Sequence, residues 1–413
     1  MSEINVLFLS YNGLLEPILE SQAVPCLERL TERGFRFILL TYEKKRDLEH
    51  AGAKEIRAIK DRLYSGGIEW RYLRYHKSPR IFATLFDIFS GALYSLYLIA
   101  ARRVSIVHVR GITPGTIMIL ISGFVRARIL FDMRGRLAEE MAAGGLWEEG
   151  SLTFRLIKLA EKRLLETADA VTVLTKRHFE LNRSLDYLNK RDIPKDIIPC
   201  SVDMERFGYN TKDAADFRKG LGLDSRFVLM YPGKIGTFYF MEHMLDFYKT
   251  ALDDIPDAVF VVLTTDETEE FRAKADSLGI RHDSLVIVRN VAYADMPRHL
   301  EIADAGIFFI NPYNKMGSSP IKMGEFLACG VPVIINPGIG DTEDLVRENR
   351  VGVVVENMDK EHYRSALKAL LELKKEGDAL KLRCRDTARR RLSLDDAVAK
   401  YADIYKILRG SGQ

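Results

Sequence analysis

The sequence predicts an α/β protein made of two doubly wound parallel sheets in succession. Short apolar runs rich in Val, Ile, Leu and Phe alternate with amphipathic stretches from one end to the other. That alternation is the mark of parallel strands covered by helices. It breaks near DIIPCSVDMERFGYNTKDAADF (196–217), which is poor in hydrophobic periodicity and reads as a linker, and then it restarts. At 413 residues the chain exceeds a usual single domain. Two domains are therefore expected, 1–205 and 206–391, with a C-terminal helix at about 392–413 returning to the first.

The first half opens on a strand, INVLFLS (4–10). An amphipathic helix follows, AVPCLERLTERG (23–34), closed by Gly34. FRFILLTY (35–42), IEWRYL (68–73), SIVHVR (105–110), ARILFDM (127–133) and AVTVLT (170–175) are further strands. PGTIMILISGFV (114–125) and LTFRLIKLAEKRLLETA (152–168) are helices, the former with Pro near its start. In the second half RFVLMYPGKIG (226–236), AVFVVLTT (258–265), SLVIVRNV (284–291), AGIFFI (305–310), VPVIIN (331–336) and VGVVVE (351–356) supply the strands. Residues 376–409 read as amphipathic helix with no strand left to cover.

Composition excludes several classes. The formal charge is +3, from 61 basic and 58 acidic residues, too balanced to suggest nucleic-acid binding. Cys26, Cys200, Cys329 and Cys384 are too scattered for a zinc or C-x-x-C pattern, so a reduced cytoplasmic chain is expected. MSEINVLFLSYNG carries an acid where a secretory signal has a base, and its apolar run is short. IFATLFDIFSGALYSLYLIAA (81–101) is nearly long enough to span a bilayer, but Asp87 and several polar residues dilute it. A buried or amphipathic helix, a helix on a membrane surface and a true span all remain open there.

In doubly wound sheets ligands bind beyond the carboxyl ends of the strands, and the residues with chemical potential fall there. Gly13 in SYNGLLEP either makes a turn or lets backbone approach a ligand. In PGKIGTF, Gly233 and Gly236 bracket Lys234, which either meets a phosphate or stands in solvent. In NPYNKMGSSPIKMGEF, Gly317, Ser318 and Ser319 precede a helix bearing Lys322 and Glu325 on one face. The amides and Lys322 suit a phosphate, and Glu325 suits the vicinal hydroxyls of a ribose. The competing reading is a surface ion pair of about 0.3–0.5 kcal/mol. His108 and Arg110 in HVRG, and Asp132 and Arg134 in FDMRG, end first-half strands. His108 reads as core or ligand-facing; Asp132 and Arg134 touch substrate or pair with each other. Tyr313, Asn314 and Met316 are candidates for a sugar pocket. There is no G-x-G-x-x-G after the first strand, and no Walker loop, H-E-x-x-H, nucleophile elbow or D-x-D.

These segments resemble the GT-B glycosyltransferases, in particular the retaining family 4. The resemblance rests on ADAVTVLT with IPCSVDMERF, on YPGKIGTFYF, and above all on SSPIKMGEFLACGVPVI. It implies two Rossmann-like domains facing across a cleft, an acceptor-binding N-terminal one and a donor-binding C-terminal one. It implies transfer of a sugar from a nucleoside diphosphate, UDP or GDP most readily, to a glycan or polyprenyl-linked acceptor, in cell-surface polysaccharide or glycolipid synthesis. No cofactor, metal or nucleic acid is expected, and the cytoplasm or the inner face of the plasma membrane is the expected place. By position the resemblance gives Glu325 the donor ribose and Lys234 the diphosphate, with Lys322 assisting. It gives Gly13 the loop that approaches diphosphate and acceptor. The catalytic set is then Lys234, Lys322, Glu325, Arg134 and Asp132. Donor binding adds Gly13, Gly233, Gly236, Gly317, Ser318 and Ser319, and the acceptor side takes His108 and Arg110. Gly317 stands where the family's first Glu would be, and Arg134 near its active-site His. A non-catalytic nucleotide-sugar-binding component and a nucleotide-sugar epimerase of this fold are the alternatives.

Overall fold

The computed structural model describes residues 4–78, 80–188, 191–208, 211–236, 238–311 and 315–410. The chain divides into two compact units, Met1–Pro199 with Leu394–Gln413, and Cys200–Ser393. Each is an α/β layer structure around one parallel sheet, as the alternation predicts.

The first sheet contains β1 (Ile4–Ser10), β2 (Phe35–Glu43), β3 (Ile68–Arg74), β4 (Ile106–Arg110), β5 (Arg128–Met133), β6 (Ala170–Val173) and β7 (Lys195–Ile197). Their order is β3-β2-β1-β4-β5-β6-β7, all parallel. The order reverses between β1 and β4. Phe8 pairs with His108 there and Ser10 with Arg110. On one face Ile4, Val6, Phe8, Phe35 and Phe37 pack with Leu27 and Leu30 of helix Val24–Glu32. Ala397, Val398, Tyr401 and Tyr405 of helix Leu394–Gly410 belong to the same core. On the other face Leu7, Leu9, Val107, Val109 and Phe131 pack with residues of helices Arg80–Ala101, Ile112–Ile121 and Leu152–Thr167.

The second sheet contains β8 (Val228–Pro232), β9 (Val259–Thr264), β10 (Leu285–Arg289), β11 (Ala305–Phe308), β12 (Val333–Ile335) and β13 (Gly352–Val354), in the order β10-β9-β8-β11-β12-β13. It too is parallel, with its reversal between β8 and β11.

Three segments differ from expectation. The supposed linker at 196–217 holds part of β7, buried Ile198, Val202 and Phe207, and most of helix Thr211–Gly220. Val202 bridges Ser393 and donates its amide to the Leu392 carbonyl at 2.7 Å. Its hydrophobics are too sparse to show a period, yet each is spent in a core. The single helix expected at 376–409 is two, Asp378–Arg391 and Leu394–Gly410, parted at Leu392 and Ser393. A helix at Lys45–Ser65, kinked at Gly52 (φ 69°), is absent from the expected elements: Leu48, Ile56, Ile59 and Leu63 share one narrow face, but charged residues crowd it and Leu63 alone is buried.

Gly13 has a role that spacing does not reveal. The Glu43 carboxylate, at the end of β2, is fully buried and accepts from the Leu14 amide (2.6 Å), the Leu15 amide (3.2 Å) and the Thr41 hydroxyl (2.5 Å). A Cβ on Gly13 would lie 2.4 Å from Glu43 Oε2. The amides that follow Gly13 are therefore spent on Glu43, and the close approach that Gly13 permits in this structure is to that carboxylate. Gly13→Ala should destabilise the first unit by about 1–3 kcal/mol through this overlap. Urea unfolding measures it, and an unchanged midpoint would refute the account.

Candidate functional site

In the second unit the loops beyond β8, β9, β11 and β12 converge around the helix Ile321–Ala328. Beyond β8 the chain turns through Gly233, at φ 139°, and Gly236, at φ 87°, conformations that favour glycine. The Gly233 amide donates to the Leu263 carbonyl (2.8 Å) and the Ile235 amide to Asp266 (2.7 Å), so β9 holds this loop in place. Tyr239 forms an antiparallel bridge with Ile310, and the Phe240 amide donates to the Phe309 carbonyl (2.9 Å). Asn336, after β12, accepts from the Ile310 amide and donates to its carbonyl, both at 2.8 Å.

The end of β8 and the loop beyond it lie over Lys322. Apolar Met323, Phe326, Leu327 and Ala328 bury the helix, and burying it takes Lys322 and Glu325 inside with them; each is only 6% exposed. The surface ion pair is thereby ruled out. The Lys322 ammonium lies 3.7 Å from the centre of the Tyr239 ring and 4.4 Å from that of Tyr231. These contacts are cation–π attractions. A Cβ added to Gly233 would sit 2.9 Å from Nζ. Nζ has no hydrogen-bond partner among the described residues. Burial drives its pKa down to about 7 against the opposing pull of Glu325. Burial pushes Glu325 up to about 7, while Lys322 and a hydrogen bond with Tyr293 resist. A buried cation without an acceptor, beside glycine backbone, can take an anion.

The other predicted residues of this unit divide. Lys234 is exposed, and its carbonyl accepts from the Tyr231 hydroxyl at 2.5 Å. Gly317 is buried. The Ser318 amide donates to the Lys315 carbonyl (3.0 Å) and the Ser319 hydroxyl accepts from the Cys200 amide (3.1 Å). Those two groups hold the loop together, so the phosphate role expected of the Ser318 amide is corrected. No side chain caps the helix that follows. Tyr313 and Asn314 lie outside the described residues; Met316 is half-buried. Sequence reasoning missed Tyr231, Tyr239 and Lys315. The ammonium of Lys315, a residue 5% exposed, lies 4.0 Å from the centre of the Phe238 ring. The available signal was the aromatic run flanking GKIG.

In the first unit Asp132 organises the ends of β4 and β5. Its carboxylate accepts from the Thr172 hydroxyl (3.1 Å) and lies 3.5 Å from Arg134 and 3.6 Å from His108 Nε2. Burial alone would raise its pKa, but Arg134, His108 and Arg110 hold it well below the usual carboxylate range. His108 Nδ1 meets the Tyr405 hydroxyl at 2.6 Å, and burial lowers the ring's pKa. His108 and Asp132 are each 2% exposed. Of the two, Asp132 stands directly beside Arg134, and His108 lies behind it against Tyr405. Arg110 and Arg134 both donate to Gln22 Oε1, at 2.6 and 3.2 Å. They are the more accessible members, with Arg134's side chain 17% exposed.

Residues 213–391 match the family model described as Glycosyl transferases group 1. The matched stretch lies wholly within the second unit. The D-inositol 3-phosphate glycosyltransferase of Geodermatophilus obscurus is 28% identical over 185 residues, 42% of this chain and 40% of that protein. The chain thus spans about two fifths of the length of the curated relatives it matches. Sucrose-phosphate synthase from Thermosynechococcus elongatus superposes with a TM-score of 0.76 at 14% identity, over 99% of this chain and 100% of that one. HepE from Anabaena, solved with UDP and glucose, gives 0.70 at 14% identity over 98% and 100%. Likeness at such identity is one of fold, and the fold is GT-B. Lys322, Glu325, Tyr231 and Tyr239 all lie within the matched residues.

Proposed function

We propose that the protein is a retaining glycosyltransferase that takes its sugar from a nucleoside diphosphate. The observation that carries the reading is the enclosed Lys322 ammonium, which has aromatic faces and a glycine beside it but no hydrogen-bond acceptor among the described residues. The match to the group 1 model and the likeness to a protein solved with UDP and glucose support it. In this reading Lys322, aided by Lys234 from the exposed loop, neutralises the donor diphosphate. Glu325, steadied by Tyr293, accepts from the ribose hydroxyls. Because Gly233 and Tyr239 cover Nζ, the donor shifts the loop beyond β8 as it binds.

Transfer breaks the bond between the anomeric carbon and the phosphate oxygen, and charge grows on the leaving diphosphate. A fixed cation in a dry setting stabilises that charge most where it develops. The acceptor oxygen bonds to the same face of the sugar, and its proton passes to the leaving phosphate oxygen. No side-chain base is then required, and the lysines take the charge-neutralising part that a metal plays elsewhere. Arg110 and Arg134 are assigned to the acceptor. The reading extends to cell-surface polysaccharide or glycolipid synthesis in the cytoplasm.

A panel of UDP, GDP, ADP and TDP tests the donor assignment by thermal shift. At least one, UDP or GDP first, should raise the melting temperature, and slow hydrolysis of the matching nucleotide sugar should accompany it. No shift with any of the four would end the donor reading; a shift without hydrolysis or transfer would leave a binding protein.

A further inference from the structure

Helix Arg80–Ala101 is part of the core and also has an uncovered face. Its inner side is fixed. Asp87, fully buried, accepts from the Tyr11 hydroxyl (3.0 Å) and the His76 amide (3.1 Å). The Tyr42 hydroxyl donates to the Asp87 carbonyl at 2.7 Å. A Cβ on Gly91 would come within 1.9 Å of that Tyr42 oxygen, so the helix rests directly on its neighbours. Ala92, Leu98 and Ile99 complete the packing. Yet Phe82, Leu85, Phe86, Phe89, Leu93 and Tyr97 are each between 55% and 74% exposed. At 100° per residue these six fall on one continuous stripe about 23 Å long, with no charged residue in it.

The stripe has company on the same layer. The helices Ile112–Ile121 and Leu152–Thr167 share its core, and they too leave large apolar side chains uncovered. Leu120 is 54% exposed and Phe124, just beyond, 83%. Leu152, Leu156 and Leu159, at helical spacing, are 54% to 73% exposed. Contiguous exposed apolar area of this kind marks a contact surface.

Its charges choose the partner. Between Glu69 and Asp132 the sequence has a single acid, Asp87, and that one is buried. On the third helix Glu161 is buried and Glu166 half-buried. Exposed Lys77, Arg103, Arg126, Arg155 and Arg163 stand at the helix ends and beside the leucines, without an ion-pair partner among the described residues. Aromatic and aliphatic groups ringed by unpaired cations match an anionic lipid surface, where the apolar face enters the acyl boundary and the cations meet headgroups. The helix Phe82–Ala101 is long and apolar enough to cross a bilayer by length and composition. Its anchoring through Asp87 and Tyr42 instead holds it in the domain, lying along the surface.

We propose that the outer face of these three helices docks the first unit onto an anionic lipid bilayer. Flotation of the full chain with vesicles of phosphatidylglycerol and phosphatidylcholine, against phosphatidylcholine alone, tests it. The protein should float with the anionic vesicles and less so as salt rises. Phe86→Ser with Phe89→Ser should lower partitioning about tenfold or more. Arg126→Gln, Arg155→Gln and Arg163→Gln together should lose about fivefold per cation on anionic vesicles. All these side chains are exposed, so circular dichroism and the melting temperature should match the parent. Failure to float with either vesicle overturns the proposal. So does a dimer in solution that the Phe86/Phe89 variant separates, since the face would then be covered by a second copy.

Discussion

Lys322→Met is expected to weaken binding of the cognate nucleoside diphosphate about 10- to 150-fold while the protein stays folded. The magnitude is that of a charge-assisted hydrogen bond, about 1.5–3 kcal/mol. Methionine keeps the length of the side chain and suits the two rings, Tyr231 and Tyr239, that now flank the ammonium. Removing a buried charge ordinarily strands an opposite charge buried near it. Here Glu325 is already pushed up to about 7 by burial, so it takes a proton when Lys322 is gone. The melting temperature of the empty protein should therefore hold or rise. Isothermal titration with UDP or GDP, whichever the panel selects, reads the affinity. A variant that melts normally and binds as tightly as the parent would show that the diphosphate is held elsewhere. Glu325→Gln provides a second reading: it keeps the shape and the Tyr293 neighbourhood, and it should weaken the nucleoside diphosphate more than inorganic pyrophosphate, which has no ribose.

The sheets were legible because a parallel strand covered on both faces is a nearly unbroken apolar run, and INVLFLS and AVFVVLT have no other use. The order of strands was not, since it depends on which way each crossover turns. At the site, the spacing of Lys322 and Glu325 placed them on one helix face but could not say whether that face looked inward. The direction is set by Met323, Phe326 and Leu327 packing into the second core, a tertiary fact. His108 shows the same limit: its surroundings include Tyr401 and Tyr405, nearly three hundred positions away in sequence and only 5.1 and 6.0 Å between ring centres. Glu43 was invisible for a different reason. A lone acid ending a strand usually meets solvent, and only the fold shows that the Leu14 and Leu15 amides need it.

The enclosed pair should also imprint itself on the pH dependence of stability. Lys322 titrates near 7 in the folded chain and at its ordinary, higher value when unfolded. Between those values the unfolded state binds more protons, so stability rises with pH above about 7. Glu325 titrates near 7 when folded and at about 4.3 when unfolded. In that window the folded state binds more protons, so stability falls as pH rises towards 7. The two slopes have opposite sign and meet near neutrality, where the pair contributes least. Urea unfolding at pH 5, 7 and 9 should accordingly give the parent its lowest stability relative to Lys322→Met/Glu325→Gln at pH 7, with the gap narrowing on both sides. A flat difference across the three would mean that the two groups are solvated in the folded protein. Ligand binding carries the matching signature. A diphosphate favours the charged ammonium, so its affinity should fall about tenfold per pH unit once the medium is above 7, and Lys322→Met should abolish that slope. The same two buried groups thus weaken the empty protein at the pH where they are most useful to a bound anion. A site organised only by exposed lysines, Lys234 among them, would show neither the dip nor the slope.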